Sequence, residues 1–327
     1  MTTFSDVFAR KEMKYRLKPG QHSRVLAAVE ERLELSEFGF STVRSLSFDT
    51  PEYGLIERSL DKPLYKEKLR LRVYGEPADD AQAFVEIKKK FKRIVYKRRV
   101  SMTLAAARAY LSGESYERAC AANPLADPLA AEQSLSGRSI QIAHEIDFFR
   151  ERYGRLAPSM LVVCDRSAYA DPSGSELRIT FDTGISADPN AKALADSCGL
   201  APLIGPGEVI MEIKNAGPLP SWLAAELSAA HAYPQSFSKY GTAYLSLLGG
   251  APLAVRSQVA VSASERGCAV RGAGSSVARL AQEYGKSGRH TGVADVDRGG
   301  AVVGRQVGAK AIRGRHARVN ERSGTCA

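Results

Sequence analysis

Lys66-Glu-Lys-Leu-Arg-Leu-Arg-Val73 places Lys66, Lys68, Arg70 and Arg72 at every second position, with Leu69, Leu71 and Val73 between them. Side chains two apart in a strand share a face, so this segment predicts a strand with one ionic and one apolar side. The pattern recurs. Glu86, Lys88 and Lys90 oppose Val85 and Ile87; Arg178, Thr180 and Asp182 oppose Leu177, Ile179 and Phe181; Glu208, Glu212 and Lys214 oppose Val209, Met211 and Ile213. A sheet with one face in water gives the same period. Solvent faces, however, mix in Ser, Thr, Asn and Gln, whereas these concentrate Arg and Lys with a few Glu. Such strands fit a closed barrel whose apolar face meets outer helices and whose charged face lines a lumen. Eight strands leave room for one small ligand or a thin chain.

Working outward, strands are expected over 9–17, 42–48, 65–74, 84–91, 94–101, 160–169, 176–185 and 207–215. The segment Asp49-Thr-Pro-Glu52 reads as a turn, and Asp171-Pro-Ser-Gly174 as a hairpin turn. Pro19 opens a helix with Val25, Leu26, Val29 and Leu33 on one side. Further helices are expected over 103–111, 139–153, 220–230 and 239–248, with 114–138 loop-rich and holding short helical pieces. The expected fold class is α+β, an antiparallel eight-stranded β-barrel flanked by helices.

Composition sets the limits of this domain. The 327 residues are 44% hydrophobic and carry a formal charge of +10, enough apolar content for a core. Residues 251–327 hold thirteen Lys+Arg against five Asp+Glu and twelve of the 28 glycines, with Tyr284 their one aromatic residue. Few apolar residues and many glycines predict a disordered basic tail after a folded domain at 1–250. The folded part is therefore close to neutral overall, and only its local clusters argue for a partner. The cysteine spacing indicates neither a disulfide framework nor a zinc site. No segment is apolar for long enough to span a bilayer, and the expected location is the cytoplasm.

A ring of Arg and Lys requires a compensating anion, since like charges about 4 Å apart repel by about 4 kcal/mol at an effective dielectric near 20. Arg offers a planar fork suited to phosphate oxygens and Lys adds point charges. The minority carboxylates, notably Glu86 and Glu212, are what a hard divalent cation needs beside phosphate. The expected ligand is a metal-complexed polyphosphate species.

The residues Ser47-Phe-Asp-Thr-Pro51, Glu86-Ile-Lys-Lys-Lys90, Asp165-Arg-Ser-Ala-Tyr169, Arg178-Ile-Thr-Phe-Asp-Thr183, Met211-Glu-Ile-Lys214 and Phe237-Ser-Lys-Tyr240, in order with the opening stretch, resemble the VTC domain of vacuolar transporter chaperone proteins. These are polyphosphate polymerases within the triphosphate tunnel metalloenzyme superfamily. The resemblance covers about residues 8–248. It implies a tunnel that transfers the γ-phosphate of ATP to a growing inorganic polyphosphate chain with Mn²⁺ or Mg²⁺. Carried over by position, Arg70, Arg72, Lys88, Arg166 and Arg178 would grip the nucleotide phosphates. Lys14, Lys97 and Lys239 would extend the basic lining, Ser238 would bind a phosphate oxygen, and Glu212 would hold the metal. The phase of the strand carrying Lys97 leaves Arg98 as the alternative inward residue. Relatives pair this domain with transmembrane segments, which makes a membrane-embedded partner protein part of the expectation.

Two departures qualify the carry-over. Hydrolysing members of the superfamily carry Glu-x-Glu-x-Lys in the first strand, where this chain has Arg10, Glu12 and Lys14; that exchange favours holding a polyanion over activating water. Ser236 stands where polymerase members can have a further basic residue. Two rival readings remain. One is a tunnel phosphohydrolase; the other is a non-catalytic polyphosphate or nucleic-acid binder, prompted by the basic run 88–99. That run alternates as a strand does, with Ile94 and Val95 inside it, so no specific nucleic-acid partner is expected.

Overall fold

The computed structural model describes residues 11–92 and 94–249; the expected basic tail lies outside them. In chain order the elements are β1 (Lys11–Leu17), α1 (Pro19–Glu30), β2 (Glu34–Asp49), α2 (Gly54–Leu60), β3 (Tyr65–Tyr74), β4 (Gln82–Phe91) and β5 (Ile94–Thr103). Then come α3 (Leu104–Ser112), α4 (Tyr116–Ala122), α5 (Pro128–Ser134), α6 (Gly137–Tyr153), β6 (Ala157–Ala170), β7 (Arg178–Asp188), β8 (Ala201–Pro202), β9 (Val209–Asn215), α7 (Ser221–Ala229) and α8 (Lys239–Leu247). The sheet runs β1-β9-β7-β6-β2-β3-β4-β5, with the short β8 attached to β7. Every pairing is antiparallel. The α+β expectation holds: eight strands form an antiparallel sheet that curls into a half-barrel, flanked by helices. Its edges are β1 and β5, and among the described residues no ladder joins them.

The apolar face of β3, β4 and β5 carries Leu69, Leu71, Val73, Val85, Ile87, Val100 and Met102, all buried, and packs against α3, α4 and α6. Thr103 caps α3 by accepting from the Ala106 amide, and Ser136 caps α6 by accepting from Ser139. A second core lies on the concave side. There Val43, Met160, Val162, Cys164, Ile185, Ala187 and Ile210 enclose Tyr240, Ala243 and Tyr244 of α8, so α8 and neighbouring α2 occupy part of the concavity.

A bulge divides β7 between the two environments. Thr183 pairs with Asp165 and Ser186 with Val163, so Gly184 and Ile185 together face the single residue Cys164. Gly184 has φ +57°, which glycine adopts without steric penalty. The extra residue reverses the strand's phase. Arg178, Thr180 and Asp182 thus look inward on one side of the bulge, and Ile185 and Ala187 look inward on the other.

Asp49, expected in a plain turn, is the anchor of α2. Its carboxylate, 1% exposed, accepts from the amides of Thr50, Leu55 and Ile56 at 2.8–3.0 Å and from the Tyr240 hydroxyl at 2.8 Å. This ties α8 to the end of β2.

Candidate active site

The register assigns the inward face. Arg70 stands opposite Ser47 on β2 and Glu86 on β4, Lys68 opposite Lys88, and Arg72 opposite Ser45 and Phe84. On β5, Arg99 and Lys97 stand opposite Glu86 and Lys88, while Arg98 stands opposite the buried Ile87. Lys97 therefore shares the lumen face and Arg98 lies on the outer one. Across the sheet, Lys14 on β1 pairs with Glu212 on β9, which pairs with Thr180 on β7; Arg178 pairs with Lys214.

These side chains gather into two ionic clusters. In the first, Glu86 is 2% exposed and accepts from Arg70 Nε at 2.9 Å and from Arg70 Nη2. Its Oε1 lies 2.6 Å from Lys97 Nζ, a close ion pair. Burial would raise this carboxyl, but Arg70, Arg72 and Lys97 outweigh it and hold Glu86 well below the usual carboxylate range. Arg72 Nε donates to Ser45 Oγ at 3.1 Å, and its guanidinium lies over Tyr74, 5.8 Å from the ring centre.

The second cluster joins β1, β9, β7, β6 and α8. Lys14 Nζ donates to Glu212 Oε1 at 2.8 Å and sits 3.3 Å from Glu12; Lys239 and Lys214 lie 3.7 and 3.6 Å from Glu212. Asp182, fully buried, accepts from Arg166 Nε and Nη2 at 2.6 and 2.8 Å and from Lys239 Nζ. Despite burial, Glu212 is held well below its ordinary range by Lys14, Lys239, Lys214 and Arg166, and Asp182 is lowered by Lys239 and Arg166. Burial alone would lower Lys14, but Glu212 and Glu12 raise it.

Lys88 bridges the clusters. Its side chain is exposed, yet desolvation pulls its ammonium below the ordinary lysine value, while Glu12 and Glu212 act on it from one side and Arg70 from the other. A group that is open to water but walled by protein on several sides behaves this way. The charged face of β1 therefore looks across the lumen at β4, although the two edges do not pair.

Of the remaining expected residues, Arg178 is exposed at the start of β7 across from Lys214. Ser238 is exposed at the start of α8 and caps it by accepting from the Gly241 amide at 3.2 Å; its hydroxyl proton is left to donate. Arg10, noted in the sequence, lies outside the described residues. Sequence reasoning did not assign roles to Asp182, Lys214 or Lys68. Lys68 lies 5.7 Å from the centre of the Tyr240 ring and is pulled down to about 8 by burial and by Lys66, Lys88 and Arg70. The alternation put Asp182 and Lys68 on the right face; their importance depends on which distant strands they meet.

The lumen also differs along its length. At one end of the β3–β4 pair, Lys66 stands opposite Lys90. Six residues back along β4, about 20 Å from Lys90 at strand spacing, Phe84 meets Tyr74 edge to face at 5.9 Å, with Arg99 over Phe84 at 4.6 Å.

Oxygen donors suited to a hard divalent cation are present as Glu212 and Glu12, which share Lys14. Among the described residues no group of three or more Asp, Glu, His or Cys gathers. The donor set thus fits Mg²⁺ or Mn²⁺ only as a partial site completed by phosphate oxygens, which is how these ions are commonly held.

A curled antiparallel sheet with this lining defines a tunnel-type domain for phosphate polyanions. The chain belongs to the VTC domain family, whose model matches residues 9–248. Among solved structures it is similar to HpAC1 from Hippeastrum, described as having a dominant triphosphatase activity, at 15% identity over 74% of this chain and 97% of that one, TM-score 0.44. It is also similar to a Vibrio parahaemolyticus protein described in adenylate cyclase terms, at 13% identity over 71% and 96%, TM-score 0.35. PH1819 from Pyrococcus horikoshii OT3 matches at 12% identity over 68% and 86%, TM-score 0.30. Likeness at this level says nothing about chemistry. No curated protein matches. Among the described residues no helix is long and apolar enough to cross a membrane.

Proposed function

We propose that this domain is a polyphosphate polymerase, transferring the γ-phosphate of ATP to the end of an inorganic polyphosphate chain in the lumen. The observation that carries the reading is the state of the carboxylates. Glu86, Asp182 and Glu212 are each bound by two or more cations and held below their ordinary range. Carboxylates so stabilised as anions are poor general bases, so the lumen is ill suited to activating water. The terminal phosphate of an acceptor chain is already an anionic nucleophile and needs no base. What it needs is alignment and neutralisation of charge, which dominate phosphoryl transfer.

In this reading Arg70, Arg72, Lys88, Arg166 and Arg178 hold the nucleotide phosphates, and Lys14, Lys97, Ser238 and Lys239 extend the lining along the polymer. The Tyr74–Phe84 pair offers a stacking surface for the base, and the lysines toward Lys66 suit the acceptor. Glu212, with Glu12, holds Mn²⁺ or Mg²⁺; the bound cation supplies charge neutralisation between phosphates. The test is incubation of the protein with ATP and either metal, with products resolved by length on a gel. A polymer ladder that Glu212→Gln removes supports the reading. Orthophosphate alone assigns a hydrolase, and no turnover assigns a binding module.

A further inference from the structure

The β4–β5 hairpin projects a feature that phosphate transfer does not use. Phe91, Ile94 and Tyr96 are 45%, 48% and 44% exposed, and neighbouring Leu64 is 71% exposed. Phe91, Ile94 and Tyr96 form one face: Phe91 pairs with both Ile94 and Tyr65, and Tyr96 stands opposite Lys89; Leu64 adjoins them at the turn, where its carbonyl accepts from the Lys92 amide at 3.0 Å. By register this surface continues the outer side of the sheet. The helices that cover Val85 and Ile87 nearer the centre leave the tip bare.

Lysines surround it. Lys89 lies on the same face, and Lys62 and Lys92 are exposed beside it. Lys92 holds φ +45° in the turn, a conformation for which Gly or Asn is the usual occupant, yet a cation stands there. The one carboxylate on the two strands, Glu86, is buried in the lumen cluster. Glu67, next along β3, is turned into hydrogen bonds from Tyr65 and Tyr153 at 2.7 Å.

We propose that this hairpin tip docks the domain onto an anionic lipid bilayer. Exposed apolar and aromatic side chains ringed by lysines match an acyl boundary beneath negative headgroups. A free polyanion would gain nothing from Phe91, Ile94 and Leu64. A second copy would bring Lys62, Lys89 and Lys92 against their own counterparts, so charge complementarity argues against self-association. The inference does not depend on the reaction in the lumen.

The test is flotation of the full chain with protein-free vesicles of phosphatidylcholine, with and without phosphatidylglycerol. Binding is expected only to the anionic vesicles and weakens with salt. Phe91→Ser with Ile94→Ser lowers partitioning by about tenfold. Lys89→Gln with Lys92→Gln lowers it by about 25-fold, at about fivefold per lysine. Phe91, Lys92 and Ile94 are exposed and Lys89 is half-exposed, so both variants keep the wild-type melting temperature. A Tyr96→Trp probe shifts to the blue on anionic vesicles. Equal binding to neutral vesicles, no binding, or undiminished binding by the hairpin variants, which would credit the basic tail, overturns the proposal. A concentration-dependent dimer lost in Phe91→Ser with Ile94→Ser, without vesicle binding, gives the surface to self-association and overturns it too.

Discussion

Replacing Asp182 by Asn removes the counter-charge shared by Arg166 and Lys239 while keeping the side chain's shape. The carboxylate is fully buried and accepts two bonds from Arg166, at 2.6 and 2.8 Å, and one from Lys239. Removing one partner of a buried ion pair costs about 3–5 kcal/mol. The amide still accepts one bond, so the lower end, about 3 kcal/mol, is expected. At about 2–4 °C per kcal/mol for a domain of this size, the melting temperature falls by about 6–12 °C in phosphate-free buffer. Tripolyphosphate then distinguishes a lumen built for anions from an ordinary buried salt bridge. Saturation at about a hundred times Kd stabilises by about 2.7 kcal/mol, and the variant, carrying one more net positive charge, binds the anion more tightly. The gap between the two melting temperatures therefore narrows as tripolyphosphate is added in a calorimetric titration. A variant melting within about 2 °C of wild type, or a gap that widens with tripolyphosphate, refutes the reasoning.

Arg70→Ala leaves Glu86 with Lys97 as its direct partner and removes a donor to the substrate; turnover of ATP is expected to fall about 10²–10³-fold, and an unchanged rate in a steady-state assay sinks the assignment. Lys68, pulled down to about 8, is partly neutral above that pH in the free protein and is recharged by a bound polyanion. Calorimetry of tripolyphosphate binding near pH 8.5, in buffers of different ionisation enthalpy, should show proton uptake that Lys68→Met abolishes. The same depressed value means that the cost of charging Lys68 in the fold is fully present below pH 8 and is relieved as pH rises toward the ordinary lysine value. Tyr240→Phe removes one donor from buried Asp49 and a bond with Ser159 at 3.0 Å; a loss of about 1–3 kcal/mol in denaturant unfolding is expected.

Much of this architecture was legible because the charged strands alternate strictly. The spacing of Lys66, Lys68, Arg70 and Arg72 fixes which face they share, and the structure puts that face inward. Three features resisted reading. The first half of β2 hides because Gly39, at φ +38°, sits within a register shift between Leu35 and Phe40, which breaks the period. The helix α2 hides behind Asp49, whose cap reaches forward six and seven residues, to Leu55 and Ile56, farther than a local turn pattern extends. Asp182 needed tertiary knowledge: its partners Arg166 and Lys239 are 16 and 57 residues away in sequence, and a period of two says nothing about which strands meet.

The two clusters share one logic, and it bears on why a tunnel so rich in cations folds at all. Within the fold, Glu86 holds Arg70 and Lys97, Asp182 holds Arg166 and Lys239, and Glu212 lies amid Lys14, Lys214 and Lys239. Each carboxylate serves as an internal counterion. A phosphate chain entering the lumen offers the same cations several oxygens each, so they exchange one anionic partner for another and remain paired throughout. Substrate binding then carries little desolvation penalty, because those cations were taken out of water when the protein folded. It follows that neutralising a carboxylate tightens polyanion binding while weakening the fold, whereas neutralising a cation weakens binding. Opposite signs for Glu86→Gln and Lys97→Met in a tripolyphosphate binding isotherm would express that exchange, and equal signs would contradict it.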